Sequence, residues 1–424
     1  MSRILLATIG SLGDLHPLIA IGLELRRRGH EVRFCASETY RAKLKALGFG
    51  FEPMRPDATP ENASMAHLVK EIMDPRKGAE RLIRDLLMPQ LKATYTDLER
   101  AVIGPPAVDL LVSGELVYPA PLIAEKFGIR WASHITAPMS FFSAHDPPVL
   151  PPFPRLSRVV RAMGPAVNRI LIRLVQRVTR TWSAPIQQLR AEVGLPAGRD
   201  PIYEGKFSPH LVLATFSPVL ASPRPDWPAT AVITGFPFYD GQDRSLPPDL
   251  VKFLGAGEPP LVFTLGSSAV HDPGNFYSEG AEAARRLGRR AVLLTGRNSM
   301  PESLPEGVIR FGYIPFSELF PHAAAVVHQG GIGTTGQVLR AGRPMLVMPY
   351  NFDQPDNAAR IARLGVGRVI SRGSYSSARV AQHLRALLAD PNYARTAADI
   401  GRQVRQEKGA EVAADAIERL LAPG

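Results

Sequence analysis

A histidine, three glycines and two threonines stand together after a short apolar run, and this combination is suited to holding phosphate. The run covers residues 324–327, and the residues in question are His328, Gly330, Gly331, Gly333, Thr334 and Thr335. The run predicts a buried parallel strand, and glycines let the next turn bend tightly against a ligand. A helix that begins there would present N–H groups with partial positive charge. The stretch therefore predicts an anion site, although spacing alone allows His328 to be an ordinary histidine at the end of a buried strand.

Polar side chains also follow the next apolar run. Residues 345–348 predict a second strand, and Asp353, Gln354 and Asn357 come shortly after it. In open parallel sheets, ligands bind outside the carboxyl ends of the strands. A carboxylate and amides beside a phosphate site suit a group rich in hydroxyls, so the two stretches together indicate a sugar nucleotide.

A third candidate lies near the amino terminus. The apolar run of residues 3–8 leads into a turn, Gly10 to Gly13, and then into Asp14. An N-cap role alone explains an aspartate at the start of a helix, because its side chain accepts N–H groups that the helix leaves unpaired. With an ordinary pKa of about 4, this carboxylate would be ionised at neutral pH and would be a weak base.

Arginines recur at helical spacing between residues 155 and 182, opposite a set of apolar side chains. They are Arg158, Arg161, Arg169, Arg173, Arg177 and Arg180. A solvated helix that covers the core of its own domain explains the pattern, and contact with an anionic membrane is the alternative. Nucleic acid is not expected as a partner, because aromatic residues are few and do not alternate with the basic ones.

The elements that would position these residues follow a βα pattern along the whole chain. In the first half, strands are predicted at residues 3–8, 31–36, 109–113, 131–134 and 211–215, and the first helix at residues 15–28. In the second half, strands at residues 261–265, 291–295 and 308–311 precede the glycine-rich stretch, and helices at residues 376–421 follow it. This alternation predicts an α/β fold with doubly wound parallel sheets. An NAD site at the first turn is excluded, because Cys35-Ala36-Ser37 stands where an acidic residue is needed.

Two proline-rich segments interrupt the pattern. Residues 138–154 predict an irregular loop, and residues 217–248 predict a linker. The predicted division is a first domain at residues 1–218, a linker at 219–248, a second domain at 249–409 and a last helix at 410–424.

Composition indicates an ordinary soluble chain. It has 424 residues, of which 45% are hydrophobic and 21% are charged, so two full cores can form. No apolar run is long enough to span a bilayer, and we expect a cytoplasmic protein. The single cysteine, Cys35, excludes an internal disulfide framework and is expected to pack in the second strand. The net charge of +11 allows anionic ligands, lipids or nucleic acid as partners.

The stretch from His328 to Asn357 resembles the donor-binding signature of family 1 glycosyltransferases with the GT-B fold. The likeness includes the glycine turn, Pro349 and the pair Asp353–Gln354, in the order and spacing of that family. It implies two Rossmann-like domains that face each other across a cleft, with the last helix returning to the first domain. Gly336 departs from plant members, which carry a glutamate for the ribose at this position.

The resemblance also implies roles for the candidate residues. His328 and the glycine turn would hold the diphosphate, and Asp353 and Gln354 would hold sugar hydroxyls. The segment that begins with Tyr313 and Ile314 would flank the nucleotide base. The expected donor-binding residues are Gly266, Ser267, Ser268, Tyr313, Ile314, His328, Gly330, Gly331, Gly333, Thr334, Thr335, Asp353 and Gln354.

By the same resemblance, Asp14 matches the position of the general base, and His16 is its rival. Where histidine-based members add an aspartate partner, this chain has Gly114 with Glu115 beside it. No Asp-x-Asp pair occurs, so no metal or other cofactor is expected, and helix amides, His328 and hydroxyls would neutralise the leaving group.

The expected activity is an inverting transfer from UDP-glucose or dTDP-rhamnose to a hydrophobic or lipid-like hydroxyl. Residues 234–238, 260–267 and 331–333 resemble bacterial rhamnosyltransferases of glycolipid synthesis. Gly10 to Asp14 matches antibiotic and sterol glycosyltransferases. Peripheral contact with the inner face of the membrane would suit such an acceptor. A nucleotide-sugar epimerase or phosphorylase of the same fold, or a non-catalytic subunit that binds the donor, are the alternatives.

Overall fold

Short apolar segments form parallel strands along the chain, and most are followed by a helix. The computed structural model describes residues 1–57, 71–151, 154–241, 245–296, 298 and 304–422, without the side chains of Arg155, Arg158 and Ser268. Two units can be distinguished. The first comprises Met1–Ile72, Arg76–Phe238 and Lys408–Gly424, and the second comprises Met73–Pro75 and Tyr239–Glu407.

The sheet of the first unit has seven strands within the described residues. They are β1 (Arg3–Ala7), β2 (Glu31–Ala36), β3 (Gly50–Pro53), β4 (Leu110–Gly114), β5 (Arg130–Ile135), β6 (Leu211–Ala214) and β7 (Ala231–Ile233). All neighbours are parallel, in the order β3-β2-β1-β4-β5-β6-β7. The order reverses between β1 and β4, and ligands of such sheets bind at the carboxyl ends of the strands beside this point.

Helices connect the strands of the first sheet along the chain. They are α1 (Leu12–Arg27), α2 (Arg41–Ala46), α3 (Gly78–Arg81), α4 (Leu91–Ile103), α5 (Ala120–Phe127), α6 (Pro154–Ala162), α7 (Pro165–Thr179) and α8 (Ala184–Glu192). A π-helical segment, Leu82–Leu87, follows α3. One hydrophobic cluster joins β1 and β4 to α4 and α5, with Leu5, Leu98 and Leu111 fully buried. Cys35 is fully buried in β2, as predicted.

The second unit repeats this arrangement with six strands in the part of the chain that the structure describes. They are β8 (Leu261–Thr264), β9 (Ala291–Leu294), β10 (Val308–Phe311), β11 (Ala325–His328), β12 (Met345–Val347) and β13 (Gly367–Val369). Their order is β10-β9-β8-β11-β12-β13, all parallel, so the reversal falls between β8 and β11. The two doubly wound parallel sheets confirm the predicted fold class.

The helices of the second unit are α9 (Pro248–Gly255), α10 (Gly266–Ala269), α11 (Phe276–Arg286), α12 (Phe316–Leu319), α13 (Ile332–Ala341), α14 (Gln354–Leu364), α15 (Ser377–Ala389) and α16 (Pro391–Gln406). Short 3₁₀ turns occur at Glu38–Tyr40, Pro138–Phe141, Arg180–Ser183, Glu204–Lys206, Phe320–His322 and Arg372–Ser374.

The last helix, α17 (Gly409–Leu421), belongs to the first unit. It buries Ala413, Ala414 and Ile417. Arg28, at the end of α1, donates to Asp415 at 2.5 Å and to Glu418 at 2.7 Å. Apolar contact and ion pairs therefore fix α17 against α1.

Three segments differ from the sequence predictions. The first helix begins at Leu12 rather than Leu15, because Ser11 caps it. The strand β3 lies outside the predicted strands, and β7 lies inside the predicted linker at residues 219–248. Both strands are short, with four and three residues, and prolines stand at or near their ends, so neither gives a periodic signal. Within the described ranges, no helix combines the length and apolar character of a membrane span.

Candidate functional site

Two glycine turns of the second unit lie side by side, because the strands that precede them are neighbours. β8 pairs with β11, and their carboxyl ends flank the reversal of strand order. Gly266 follows β8 with φ +63°, where a Cβ atom would overlap Gln329 Nε2 and lie 3.1 Å from Thr334 Oγ1. The structure therefore joins the turn at Gly266 and the turn after β11 in one site, and only a glycine fits at their contact.

The side chain of Gln329 occupies the space between these turns. It is buried, and a Cβ atom on Gly331 would lie 2.8 Å from its Nε2. Its Oε1 is buried and has no hydrogen-bond partner among the described residues, which costs about 1–3 kcal/mol unless a donor arrives. Sequence reasoning missed Gln329, whose only signal is its place between a histidine and a glycine turn.

His328 is fully buried at the end of β11. Its Nδ1 accepts the N–H of Gly330 at 3.1 Å, and its Nε2 lies 3.3 Å from Met345 Sδ. Burial lowers the pKa of His328 to about 3, so the ring is neutral at physiological pH. His328 therefore has no positive charge with which to neutralise a leaving group, and in this structure its ring shapes the glycine turn.

The first turn of α13 faces open space. A Cβ atom on Gly333 would meet no atom of the described residues within 4 Å, and Gly331, as the N-cap, offers no side chain to the helix. The first amides of an α-helix have no acceptor within the helix. The N–H of Ile332 donates to Asp353 Oδ2 at 3.2 Å, whereas Thr334 and Thr335 are buried. Amides of this turn are thus the groups available to an anion.

The polar residues after β12 are tied to the same turn. Asn357 Nδ2 donates one hydrogen bond to Asp353 Oδ2 at 2.7 Å and another to Gly330 O at 2.9 Å. Gln354 Oε1 accepts the N–H of Tyr350 at 2.9 Å. Asp353 and Gln354 therefore hold the loop and turn together, and their contacts with sugar hydroxyls stay a prediction.

The remaining candidates of this unit lie around it. Tyr313, after β10, is 69% exposed, so its ring is available for stacking on a planar group. Its neighbour Ile314 is buried and anchors the segment. Ser267 is half-buried in α10, and the side chain of Ser268 lies outside the described residues.

In the first unit, Asp14 lies just after β1, beside the reversal of strand order. Its Oδ2 accepts the N–H of Ser11 at 2.9 Å, while Ser11 Oγ accepts the N–H of Gly13 at 3.2 Å. This is a capping box in which Ser11 is the N-cap and Asp14 the third helical residue, so Asp14 does cap the helix start, although it is not itself the N-cap. Gly10 has φ +136°, and a Cβ atom there would overlap the Asp14 carboxylate.

Burial raises the pKa of Asp14 to about 6. Desolvation raises this pKa by more than the hydrogen bond from the Ser11 N–H lowers it. The negative charge of Glu115 raises the pKa further. The carboxylate of Glu115 accepts hydrogen bonds from Lys206 Nζ and Ser140 Oγ, each at 2.9 Å. Asp14 is therefore a stronger base than the ordinary carboxylate expected from the sequence, and most of it is still ionised at pH 7.

Two histidines of the first unit have other neighbours. His16 Nε2 lies 2.9 Å from Lys43 Nζ on α2, whereas Asp14 turns back to Ser11. His134 lies in the apolar strand β5, and its sequence context gives no sign of a functional role. Its Nε2 lies 2.8 Å from Thr215 Oγ1, and burial lowers the pKa of His134 to about 4. The low pKa makes His134 a poor base at neutral pH, and the roles of Asp14 and His16 in proton transfer stay predictions.

A cavity of about 510 Å³ opens in the first unit. Its walls include the aromatic rings of Phe141, Phe142, Tyr203, Phe207 and Trp227. Phe141 stacks on Trp227 with ring centroids 3.9 Å apart. Ser140 lines the cavity and donates to Glu115, whose negative charge is one cause of the raised pKa of Asp14.

The basic segment does not cover the core as the solvated-helix interpretation predicted. Met163, Ile170, Leu174 and Val178, which that interpretation turns inward, are all exposed. The buried residues of α7 are instead Asn168 and Thr179, both polar. The predicted helical periodicity of the segment is confirmed. Of the predicted inward face, these four residues are exposed, whereas Val160, Val167 and Leu171 are half-buried.

Two family models match the chain. The glycosyltransferase family 28 N-terminal domain matches residues 4–131, and the erythromycin biosynthesis protein CIII-like C-terminal domain matches residues 290–419. The two matched segments contain Asp14 and the glycine turn after β11 respectively.

Relatives extend the likeness to the whole chain. O-mycaminosyltylonolide 6-deoxyallosyltransferase of Streptomyces fradiae is 33% identical over 98% of this chain and 97% of its own length. Sterol 3-beta-glucosyltransferase of Pichia angusta is 27% identical over 98% of this chain and 33% of its own length. The solved structure of glycosyltransferase VinC in complex with dTDP has a TM-score of 0.69 at 20% identity, covering 99% of each chain. The chain is a nucleotide-sugar-dependent glycosyltransferase and belongs to the antibiotic-type family 1 glycosyltransferases of the GT-B fold.

Proposed function

We propose that this enzyme is an inverting, metal-independent hexosyltransferase that glycosylates a hydroxyl of a hydrophobic or lipid-like acceptor. The observation that carries this proposal is Asp14, a carboxylate with a pKa raised to about 6 at the carboxyl end of β1. Such a group is ionised at neutral pH and can still accept a proton readily.

The second unit would bind the donor. Amides of the first turn of α13 would hold the diphosphate. Gln329 Oε1, which has no partner in the described part of the chain, would accept a hydrogen bond from a hydroxyl or N–H group of the donor. Asp353 and Gln354 would contact the sugar, and Tyr313 would stack on the nucleotide base. The complex of VinC with dTDP supports a thymidine donor such as dTDP-rhamnose, with UDP-glucose as the second candidate.

The first unit would bind the acceptor. The aromatic cavity offers apolar walls to a hydrophobic molecule, and Ser140 connects it to the groups around Asp14. The sterol acceptor named for the Pichia angusta enzyme supports a lipid-like molecule. A lipid-like acceptor would be met at a membrane surface, which implies peripheral contact with anionic lipid.

In the proposed reaction, the acceptor oxygen attacks the anomeric carbon from the face opposite the nucleotide. Its proton passes to Asp14, the new glycosidic bond forms, and the bond from the anomeric carbon to the phosphate oxygen breaks. The electron pair of that bond leaves with the nucleoside diphosphate, whose charge the α13 amides stabilise. An α-linked donor thus gives a β-linked product.

Turnover assays would test this function. Purified enzyme is incubated with dTDP-rhamnose or UDP-glucose, with and without hydroxyl acceptors of increasing hydrophobicity, and the products are identified by NMR. We expect an acceptor-dependent glycoside of inverted anomeric configuration. Epimerised donor without acceptor would support the epimerase alternative, and donor binding without any turnover would support the non-catalytic subunit.

A chelator would test metal independence separately. Calorimetric titration of dTDP and UDP into the enzyme should give the same affinity with and without EDTA, because backbone amides take the place of a cation. Loss of binding on chelation would contradict this part of the proposal.

A further inference from the structure

The helices α6 and α7 present a row of large apolar side chains to solvent. The row, termed the apolar stripe, consists of Leu156, Val159, Met163, Ile170, Leu174 and Val178. The exposed fraction of these residues runs from 56% for Met163 to 67% for Val178. Single exposed apolar residues are common, but several that recur at helical spacing, as residues 156, 159 and 163 do on α6 and just after it and residues 170, 174 and 178 do on α7, mark a surface that meets an apolar partner.

The opposite face of α7 attaches to the protein by polar contacts. Asn168 Nδ2 donates to Ala144 O, and Thr179 Oγ1 lies beside Tyr203 OH, each at 2.9 Å. Gln176 Nε2 donates to Glu204 Oε1 at 3.0 Å. A surface helix ordinarily turns its apolar face inward. In α7 the fully buried side chains are polar, Ile170, Leu174 and Val178 are exposed, and the other large apolar residues are half-buried.

Positive charge borders the apolar stripe. Arg169, Arg173, Arg177 and Arg180 are exposed, and none forms an ion pair with another described residue. No aspartate or glutamate occurs between Asp146 and Glu192 in the sequence. Glu204 contacts Gln176 and Asp200 interacts with Arg180, but the arginines outnumber these acidic groups. A partner that combines an apolar interior with negative charge at its boundary therefore fits this surface.

We propose that α6 and α7 dock on the surface of an anionic lipid bilayer, with the apolar stripe at the level of the headgroups and acyl chains and the arginines on lipid phosphates. Interfacial helices combine these two features. A second copy of this chain fits less well, because a twofold contact through this face would bring arginines against arginines. Nucleic acid offers negative charge but no continuous apolar layer.

Docking of α7 on a bilayer would place the acceptor cavity close to the membrane surface. Arg169, Ile172 and Arg173 of α7 also line that cavity, so α7 would stand between the bilayer and the aromatic rings. This consequence rests on the proposed lipid-like acceptor, whereas the docking itself does not and can be tested without any substrate.

Co-sedimentation of the full chain with vesicles would test the docking. We expect recovery with phosphatidylcholine vesicles that contain phosphatidylglycerol and little recovery with phosphatidylcholine alone. Added salt should weaken binding, because exposed charges are screened beyond about 8 Å at physiological ionic strength. Equal recovery with both vesicle types, or none with either, would overturn the proposal.

Two sets of variants separate the charge from the apolar contact. R177Q/R180Q should weaken binding to anionic vesicles roughly 30-fold, because each arginine near such a surface contributes about a factor of five. The control R379Q/R385Q removes the same charge from α15 and should retain most of the binding. The triple variant I170S/L174S/V178S should abolish binding, whereas V251S, at an exposed valine of α9, should not.

These substitutions replace exposed side chains, so the melting temperature should stay close to that of the parent protein. Two outcomes would overturn the proposal: binding by the triple serine variant equal to that of V251S, or a concentration-dependent dimer of the parent protein that the triple variant abolishes. The second outcome would assign the apolar stripe to contact between copies.

Discussion

Asp14 shows how one side chain can stabilise a helix and remain available for proton transfer. Its Oδ2 completes the capping box with Ser11, and burial keeps its pKa near 6. Asp14→Asn retains the shape and an oxygen acceptor for Ser11 while removing the base. We expect kcat to fall roughly 10²- to 10⁴-fold, the range of general-base catalysis, with unchanged affinity for the nucleotide.

The melting temperature of Asp14→Asn shows whether a fall in kcat comes from loss of the base or from a damaged fold. Because the folded-state pKa of Asp14 lies above its ordinary value, its contribution to stability is full below about pH 4 and is lost as pH rises through about 6. Asp14→Asn should therefore leave the melting temperature unchanged or raise it above about pH 7. Near-normal turnover in Asp14→Asn, together with loss in His16→Ala, would move the base to His16.

The pH dependence of activity gives an independent prediction. If Asp14 must be ionised to act, kcat/KM should rise about tenfold per pH unit below its pKa of about 6 and level off above it. Initial rates under subsaturating acceptor, measured in buffers of constant ionic strength, would show this. A plateau that extends down to about pH 4 would mean that a group with an ordinary carboxyl pKa, or none, controls the rate.

At the scale of residues, the sequence predicts which residues form the candidate sites, but it does not predict how deeply they are buried or which groups surround them. The glycine turn and Asp14 could be located because their neighbours in sequence are distinctive. The raised pKa of Asp14 depends on burial and on Glu115, which is about a hundred residues away in the sequence. His328 is neutral for the same kind of reason, because the core around it is contributed by other strands.

At the scale of elements, the contact between the two glycine turns can be tested with a matched pair of substitutions. Gly266 has φ +63° and a Cβ atom there would overlap Gln329, whereas Gly288 has φ +62° and no atom within 4 Å. Gly266→Ala should displace Gln329 and Thr334 and lower the affinity for dTDP or UDP by tenfold or more, about 1.4 kcal/mol. Gly288→Ala imposes the same backbone strain without the overlap.

Both alanine variants should lose similar stability from the left-handed backbone, so the melting temperature serves as an internal control. Calorimetric titration of the nucleotide then isolates the effect on the site. Equal affinities of the two variants would show that the turn at Gly266 does not shape the donor site.

Elements with a strong local signal were predicted, and those that depend on tertiary contacts were not. The apolar strands β1, β8 and β11 stood out because they are buried and uninterrupted. β3 and β7 are held mainly by pairing with β2 and β6, a contact that a four- or three-residue segment does not reveal. For α7, periodicity predicted the helix, but which face turns inward depends on Ala144, Tyr203 and Glu204.

At the scale of the whole molecule, the chain leaves the first unit at Phe238 and returns to it with Lys408. The fold and the family could be predicted from the order of βα units and from the signature near the carboxyl terminus. The bounds of the units were harder to predict, because the proline-rich stretch that resembles a linker includes β7, an edge strand of the first sheet.

The return of α17 allows the proposed division of roles to be tested with one buried residue. Ile417 is fully buried in the first unit. Ile417→Ala removes buried methyl groups and leaves a cavity, so it should cost about 2–5 kcal/mol and lower the melting temperature of the first unit. The exposed neighbour Arg419 provides the control, because Arg419→Ala removes a side chain that faces solvent on the same helix.

Nucleotide affinity is the decisive measurement for this pair of variants. Below the melting temperature, dTDP and UDP should bind both with the affinity of the parent protein, since the proposed donor site lies entirely in the second unit. Calorimetric titration at a temperature where Ile417→Ala is still folded separates binding from stability. A parallel loss of nucleotide affinity in Ile417→Ala would mean that the first unit contributes to donor binding, and the assignment of donor and acceptor to separate units would then be wrong.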